Sequence, residues 1–251
     1  MVATGQRLTW DDYLARAPES ALAEWVDGEV LEHVPPVFRH QVVAAFLFTL
    51  LHRFTQLFGL GQVLHAPFAM RLLPEGPARE PDVLFVVRAN SERFRRTHLE
   101  GPADLVVEVV SEDSVVRDRV EKFDEYQRAG VLEYWVIDVR PGYERADFWV
   151  LEGLGGREGA MGGDGPPATG ADRPAPTARV PRYRAVPPDP DGVYRSTVVR
   201  GFSLRVEWVL TETPPDAEWA FAELAGLPPA ATEALRTLRQ RGPRGSGASP
   251  K

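Results

Sequence analysis

Along 40–58 the apolar residues fall at 43, 46, 47, 50, 51, 54 and 58, the spacing of one helical face. Gly59 and Gly61 end that run. Before it, Thr9 caps a short helix through Asp11, Asp12, Tyr13 and Leu14, with both acids in the first turn. Asp27-Gly28 is a hairpin turn between short strands in 24–31. Strand-like runs follow at 62–72 and 81–87, around a Pro/Gly-rich turn at 74–77. A basic loop then carries Arg88, Arg93, Arg95, Arg96 and His98.

The β-branched run 104–110 reads as a strand, and 114–129 as a helix stopped by Gly130. Strands at 134–138 and 147–151 come next, with a Pro-Gly turn between them. Strand, helix, strand over 104–138 is a crossover unit, so the expected fold is α/β (α+β), a mixed β-sheet flanked by helices. Trp135 and Trp149 read as core residues.

Two positions break the apolar pattern. Side chains alternate along a strand, so Leu105, Val107 and Val109 share one face, and Asp104, Val106, Glu108 and Val110 the other. A carboxylate amid valines is costly unless paired or bound to a cation, which singles out Glu108. Asp82 stands out in the same way at the head of the apolar run 83–87. On the helix, Val116, Val120 and Phe123 form an apolar stripe expected to face the sheet. Asp118, Lys122 and Tyr126 form a polar stripe beside it. The short connection after 104–110 brings Lys122 back toward Glu108. Two acids and a lysine at a strand edge suit phosphodiester hydrolysis with Mg²⁺. Each residue also has a plainer reading: Glu108 paired with Arg117, Asp82 as a turn residue, Lys122 bridged to Asp118.

Composition then sharpens the picture. Of 29 basic residues only Lys122 and Lys251 are lysine, so an internal lysine where arginine is the habitual cation is informative. The net charge of −7 argues against nonspecific coating of DNA, yet it leaves room for catalytic carboxylates and local basic patches. Cysteine is absent, which excludes disulfides and thiolate metal sites and fits a cytoplasmic protein. The start, MVATGQRLTW, is not patterned as a signal peptide. The apolar stretch 42–51 is too short to span a bilayer, so no membrane association is expected. Seventeen of the forty residues in 153–192 are Gly or Pro, a flexible insert within one domain spanning 1–212. Strand patterning resumes over 193–206. A helical extension is expected over 213–241 and a disordered tail over 242–251.

Pro81-Asp82, followed by Glu108 in Asp-Leu-Val-Val-Glu-Val-Val-Ser, resembles the PD-(D/E)xK nuclease superfamily. The longer string GPADLVVEVVSEDSVVRDRVEKFDEYQRAGVLEYWVID resembles the Uma family of restriction-endonuclease-like proteins. Asp27-Gly28-Glu29 and Gly201-Phe202 extend the likeness to roughly 8–210, apart from the insert. The resemblance implies a restriction-endonuclease-like fold and a Mg²⁺- or Mn²⁺-dependent endonuclease acting on DNA. Asp82 and Glu108 would be the metal ligands. Where the usual motif has lysine, this chain has Val110, so the resemblance implies a lysine migrated to Lys122. It also suggests a place near the metal for Glu29. His40 reads equally as a helix-start residue or as a phosphate or metal contact. Asp118 and Tyr126 are candidate partners of Lys122, and Arg88, Arg93, Arg95 and Arg96 a candidate DNA-backbone patch. The alternative is an inactive nucleic-acid or protein-interaction module with the same fold. Exposed sheet edges lead us to expect a homodimer or higher homo-oligomer.

Overall fold

A computed structural model describes residues 2–3, 7–16, 23–32, 37–112, 114–153 and 180–241. Strand β1 (Val2–Ala3) and helix α1 (Trp10–Arg16) precede a hairpin of β2 (Ala23–Val26) and β3 (Glu29–Glu32). Helix α2 (Phe38–Phe58) leads into β4 (Gly61–His65), β5 (Ala69–Arg71), β6 (Ala78–Arg79) and β7 (Val83–Val87). A 3₁₀ turn (Arg88–Arg93), β8 (His98–Glu100) and β9 (Leu105–Val110) follow. A π-helical turn (Arg117–Glu121) runs into α3 (Lys122–Ala129), then β10 (Glu133–Asp138) and β11 (Arg145–Glu152). The chain continues with β12 (Arg182–Ala185), β13 (Val193–Arg195), β14 (Ser203–Arg205), α4 (Glu207–Leu210), α5 (Ala217–Leu224) and α6 (Pro229–Arg241).

The architecture is the expected mixed sheet flanked by helices. The main sheet runs β12-β11-β10-β9-β7-β4. Strands β9 and β10 are parallel, joined through α3, and their register sets Glu108 opposite Val136. The other neighbours are antiparallel. A second six-stranded sheet runs β1-β3-β2-β6-β5-β8.

Alternation along β9 divides the core. Leu105, Val107 and Val109 pack with Val43, Leu47 and Leu50 of α2. Val106 and Val110 pack with Met70 and Leu99 of the second sheet, Tyr126 of α3 and Tyr134 of β10. Each such aliphatic side chain contributes about 1.5–3 kcal/mol by leaving water. The stretch 42–51 understated α2, whose 21 residues are long and apolar enough to cross a membrane by length and composition. In this fold one side of α2 is committed to the core, with Val43, Leu47, Leu50 and Leu51 fully buried.

Several expectations need correction. The run 62–72 divides into β4 and β5, which belong to different sheets. Pro67 lies between them and has no N–H to extend a ladder. The run 193–206 is a hairpin, turned at Gly201 with φ +83°. The helical tail is two helices, broken at Gly226-Leu227-Pro228. The insert is shorter than 153–192, because β12 pairs with β11 as an edge strand. Residues 154–179 and 242–251 lie outside the described residues.

Glu133 ties the β13–β14 hairpin to the sheet. Its carboxylate is fully buried and accepts from Trp135 Nε1 at 2.7 Å, Tyr194 Oη at 2.8 Å, Thr197 N and Oγ1 at 2.8 Å, and Val198 N at 3.0 Å. Glu133→Gln replaces one charged acceptor oxygen with an amide donor facing other donors. We expect a loss of about 2 kcal/mol in urea denaturation, with secondary structure retained.

Candidate active site

The buried carboxylate of Glu108, 3% exposed, hangs from the β9 face turned toward α3 and the second sheet. Lys122 Nζ lies 2.9 Å from its Oε1, and Tyr126 Oη donates to the same oxygen at 2.7 Å. Lys122 also meets Glu24 Oε1 at 3.1 Å and Asp118 Oδ1 at 3.4 Å. Asp82, immediately before β7, accepts from the Val109 amide at 2.7 Å through Oδ2. The residue next to Glu108 in the chain therefore ties the two acids together. His40, in the first turn of α2, places Nε2 3.2 Å from the same Asp82 oxygen.

Glu108, Lys122, Asp82 and His40 line a cleft of about 940 Å³. Glu24, Glu80, Asp82, Glu108 and Asp118 converge there, with Lys122 and His40 among them. Burial raises the Glu108 pKa; Lys122 opposes the rise, and the charges of Asp118 and Asp82 reinforce it. Burial likewise pushes Glu80 up to about 7, with Glu24 adding to the shift. Burial lowers the Lys122 pKa, but Glu108, Glu24 and Asp118 more than reverse this, so the ammonium keeps its proton. Burial also lowers His40, and its hydrogen bond to Asp82 together with the nearby acids raises it above its ordinary value.

The helix departs from the expected apolar stripe at Val116 and Val120 but follows it at Phe123, which packs on the sheet against Tyr134 and Trp149. Val116 and Val120 are 65% and 60% exposed, whereas Asp118, Lys122 and Tyr126 are buried. Ion pairing helps to choose the inward face, because the lysine meets three carboxylates there, and Tyr126 and Phe123 add apolar contact beside it.

Glu24 was the principal residue missed. It is fully buried, and its Oε2 accepts from Arg79 at 2.8 Å while its Oε1 faces Lys122. Arg79, 1% exposed, also makes a two-pronged bond to Glu125 at 2.7 and 2.8 Å. The signal was present in Ala23-Glu24-Trp25-Val26, an acid within an apolar strand like Glu108. The hairpin neighbour Glu29 is exposed and does not line the cleft. It sits beside the Asp27-Gly28 turn, about 7 Å closer to the hairpin tip than Leu31, which pairs with Glu24.

The arginine-rich loop is also displaced from the site. Arg88, Arg93, Arg95 and Arg96 follow the far end of β7, roughly 20 Å along the strand from Asp82, and none lines the cleft. Arg93 is occupied with the Pro102 carbonyl at 2.7 Å. The arginines that do line the cleft are Arg39, Arg117 and Arg140.

Asp82 and Glu108 fit a divalent cation by their chemistry. Asp82 Oδ1 and Glu108 Oε2 accept no hydrogen bond among the described residues, and both residues line the cleft. Hard oxygen donors in an acid-rich, partly desolvated site suit Mg²⁺ or Mn²⁺.

A family model described as "Putative restriction endonuclease", Uma2, matches residues 10–147, more than half of the 251-residue chain. That span contains Glu24, Asp82, Glu108 and Lys122. The chain is also similar to the crystal structure of a "putative nuclease" from Anabaena variabilis. The TM-score is 0.51 at 12% identity, covering 86% of this chain and 99% of that one. At that identity the likeness concerns the fold. No curated protein gave a significant match.

Proposed function

The chain belongs to the Uma2 family, and from that premise we propose that it is a divalent-metal-dependent nuclease hydrolysing phosphodiester bonds of DNA. One observation carries the reading. Two carboxylates, linked through the Val109 amide, each keep an oxygen that accepts no hydrogen bond among the described residues, in a cleft crowded with acids. Asp82 and Glu108 would hold Mg²⁺ or Mn²⁺ through those oxygens. A cation there neutralises phosphate charge and acidifies water. Tyr126 and Lys122 fix the Glu108 carboxylate by bonding its other oxygen. His40 does the same for Asp82. The Lys122 ammonium is placed beside Glu108 to orient the attacking water or to stabilise the charge of the pentavalent transition state. The lysine serves from α3 rather than from the usual place two residues after the second acid.

A metal-independent binding module is the second reading. It is favoured by one fact: among the described residues no group of three or more His, Asp or Glu is arranged to hold a metal ion. Calorimetry separates the two, since a binding module takes up nucleic acid or a protein partner equally well in EDTA.

The test is cleavage of supercoiled plasmid and of circular single-stranded DNA in Mg²⁺ or Mn²⁺. Wild type is expected to cut at least one of the two, and to stop in EDTA. Asp82→Ala, Glu108→Ala and Lys122→Ala are expected to lose about 100-fold or more. Equal activity in all four proteins would remove the assignment.

A further inference from the structure

The reactive groups lie deep in the cleft, while its rim carries exposed apolar side chains alongside the exposed Glu112. Glu108 and Lys122 are each 3% exposed. At the mouth, Phe38 is 83% exposed and Val37 61%. Phe38 has no ring partner among the described residues, whereas Phe48, further in, packs edge-on against His65 at 4.6 Å. The cleft's volume falls in the range of about 300–1,000 Å³ that encloses a small organic ligand, and a single nucleotide is of that size.

A double helix suits this cleft poorly. Its phosphates lie on a wide convex rod and cannot descend to a buried carboxylate pair. It is gripped by cations on an open face, and the arginine-rich loop is at the other end of β7. Two cleft arginines are already engaged: Arg39 with Glu144 and the Leu210 carbonyl, Arg140 with Asp138. An unpaired nucleotide meets both demands. Its flexible backbone can reach the acids, and its base has an apolar face for an aromatic ring at the rim.

We propose that the cleft takes an unpaired DNA strand, with Phe38 as the ring on which a base stacks. This deepens the nuclease reading and rests on it. Phe38 opens α2 at the rim, two residues before His40. Phe38, His40 and Asp82 line the same cleft, so a base stacked on this ring lies at the entrance to the Asp82–His40 pair.

The test measures fluorescence anisotropy of labelled dT12, its 12-bp duplex with dA12, and an abasic 12-mer of equal charge. The buffer contains Ca²⁺ in place of Mg²⁺. Wild type is expected to bind dT12 about tenfold or more tighter than the duplex. Phe38→Ala is expected to lose about tenfold on dT12 and little on the duplex, while Phe38→Trp retains affinity. The abasic strand is expected to bind wild type about as weakly as dT12 binds Phe38→Ala. Equal affinity for strand and duplex, an unchanged Phe38→Ala, or no binding to either would overturn the proposal. Cleavage in Mg²⁺, run in parallel, separates the two ideas. Cutting of intact duplex regardless of Phe38 leaves the nuclease reading standing and removes this one. Phe38-dependent strand binding without cleavage does the reverse.

Discussion

Lys122→Ala is expected to lose about 3–5 kcal/mol of folding stability, because it removes one partner from a buried ionic cluster. Glu24, Glu108 and Asp118 would then face one another with Lys122's charge gone. Hydration cannot readily replace it, as all three acids are at most 3% exposed. Lys122→Met should cost nearly as much. Methionine keeps most of the apolar stem, so the comparison isolates charge from packing. In a chain of this size the loss corresponds to a melting temperature lower by roughly 10 °C. The deficit should shrink as pH falls toward 5, where Glu108, raised by burial, takes up a proton. A deficit below about 1 kcal/mol, or one independent of pH, would mean that the lysine does not hold this cluster together.

The metal-free protein is also expected to become less stable as pH rises from 5 to 8. Glu80 is pushed up to about 7 and Glu108 is raised, each above the unfolded value near 4.5. His40 is raised above 6.5. Raised groups bind protons more tightly in the folded state. Their contribution is complete below the unfolded pKa and disappears as pH passes the folded one. For Glu80 alone the loss is on the order of 3 kcal/mol. A divalent cation at Asp82 and Glu108 would take over from the proton. Mn²⁺ should therefore raise the melting temperature more at pH 8 than at pH 6. Melts across pH in EDTA and in Mn²⁺ check both parts. A flat profile in EDTA, or a larger Mn²⁺ effect at pH 6, would contradict the linkage.

Glu108 was legible because one strand supplies all the information: alternation puts a carboxylate among valines whatever lies opposite. Lys122 was legible through its rarity and its spacing from Asp118. The β9–α3–β10 crossover was legible because its elements are long and bounded by Gly130 and the 111–114 loop. Glu24 was harder to read, since its burial depends on the second sheet docking against α3. That sheet is built from strands such as β5, β6 and β8, only two or three residues long, too short for a periodic signal. The stripe of Val116 and Val120 misled for a related reason. Apolar spacing ordinarily marks the inward face, but here three acids from two other strands and the helix itself claim the lysine. The edge strand β12 was obscured by its composition, Arg-Tyr-Arg-Ala beside a Gly/Pro-rich stretch.

The π turn at Arg117–Glu121 limits how this chain can vary in length. Such a turn is what one surplus residue leaves in an α-helix. A chain shortened by one residue there would regain regular helix, but the segment before it would swing by about 100° relative to Lys122. Ser114, whose hydroxyl accepts from the Ser111 amide at 2.9 Å, and Asp118 would lose their places together. Insertions and deletions among related chains should therefore avoid 111–122 and accumulate in 154–179. A one-residue gap in the first window would mark a relative whose lysine is carried differently.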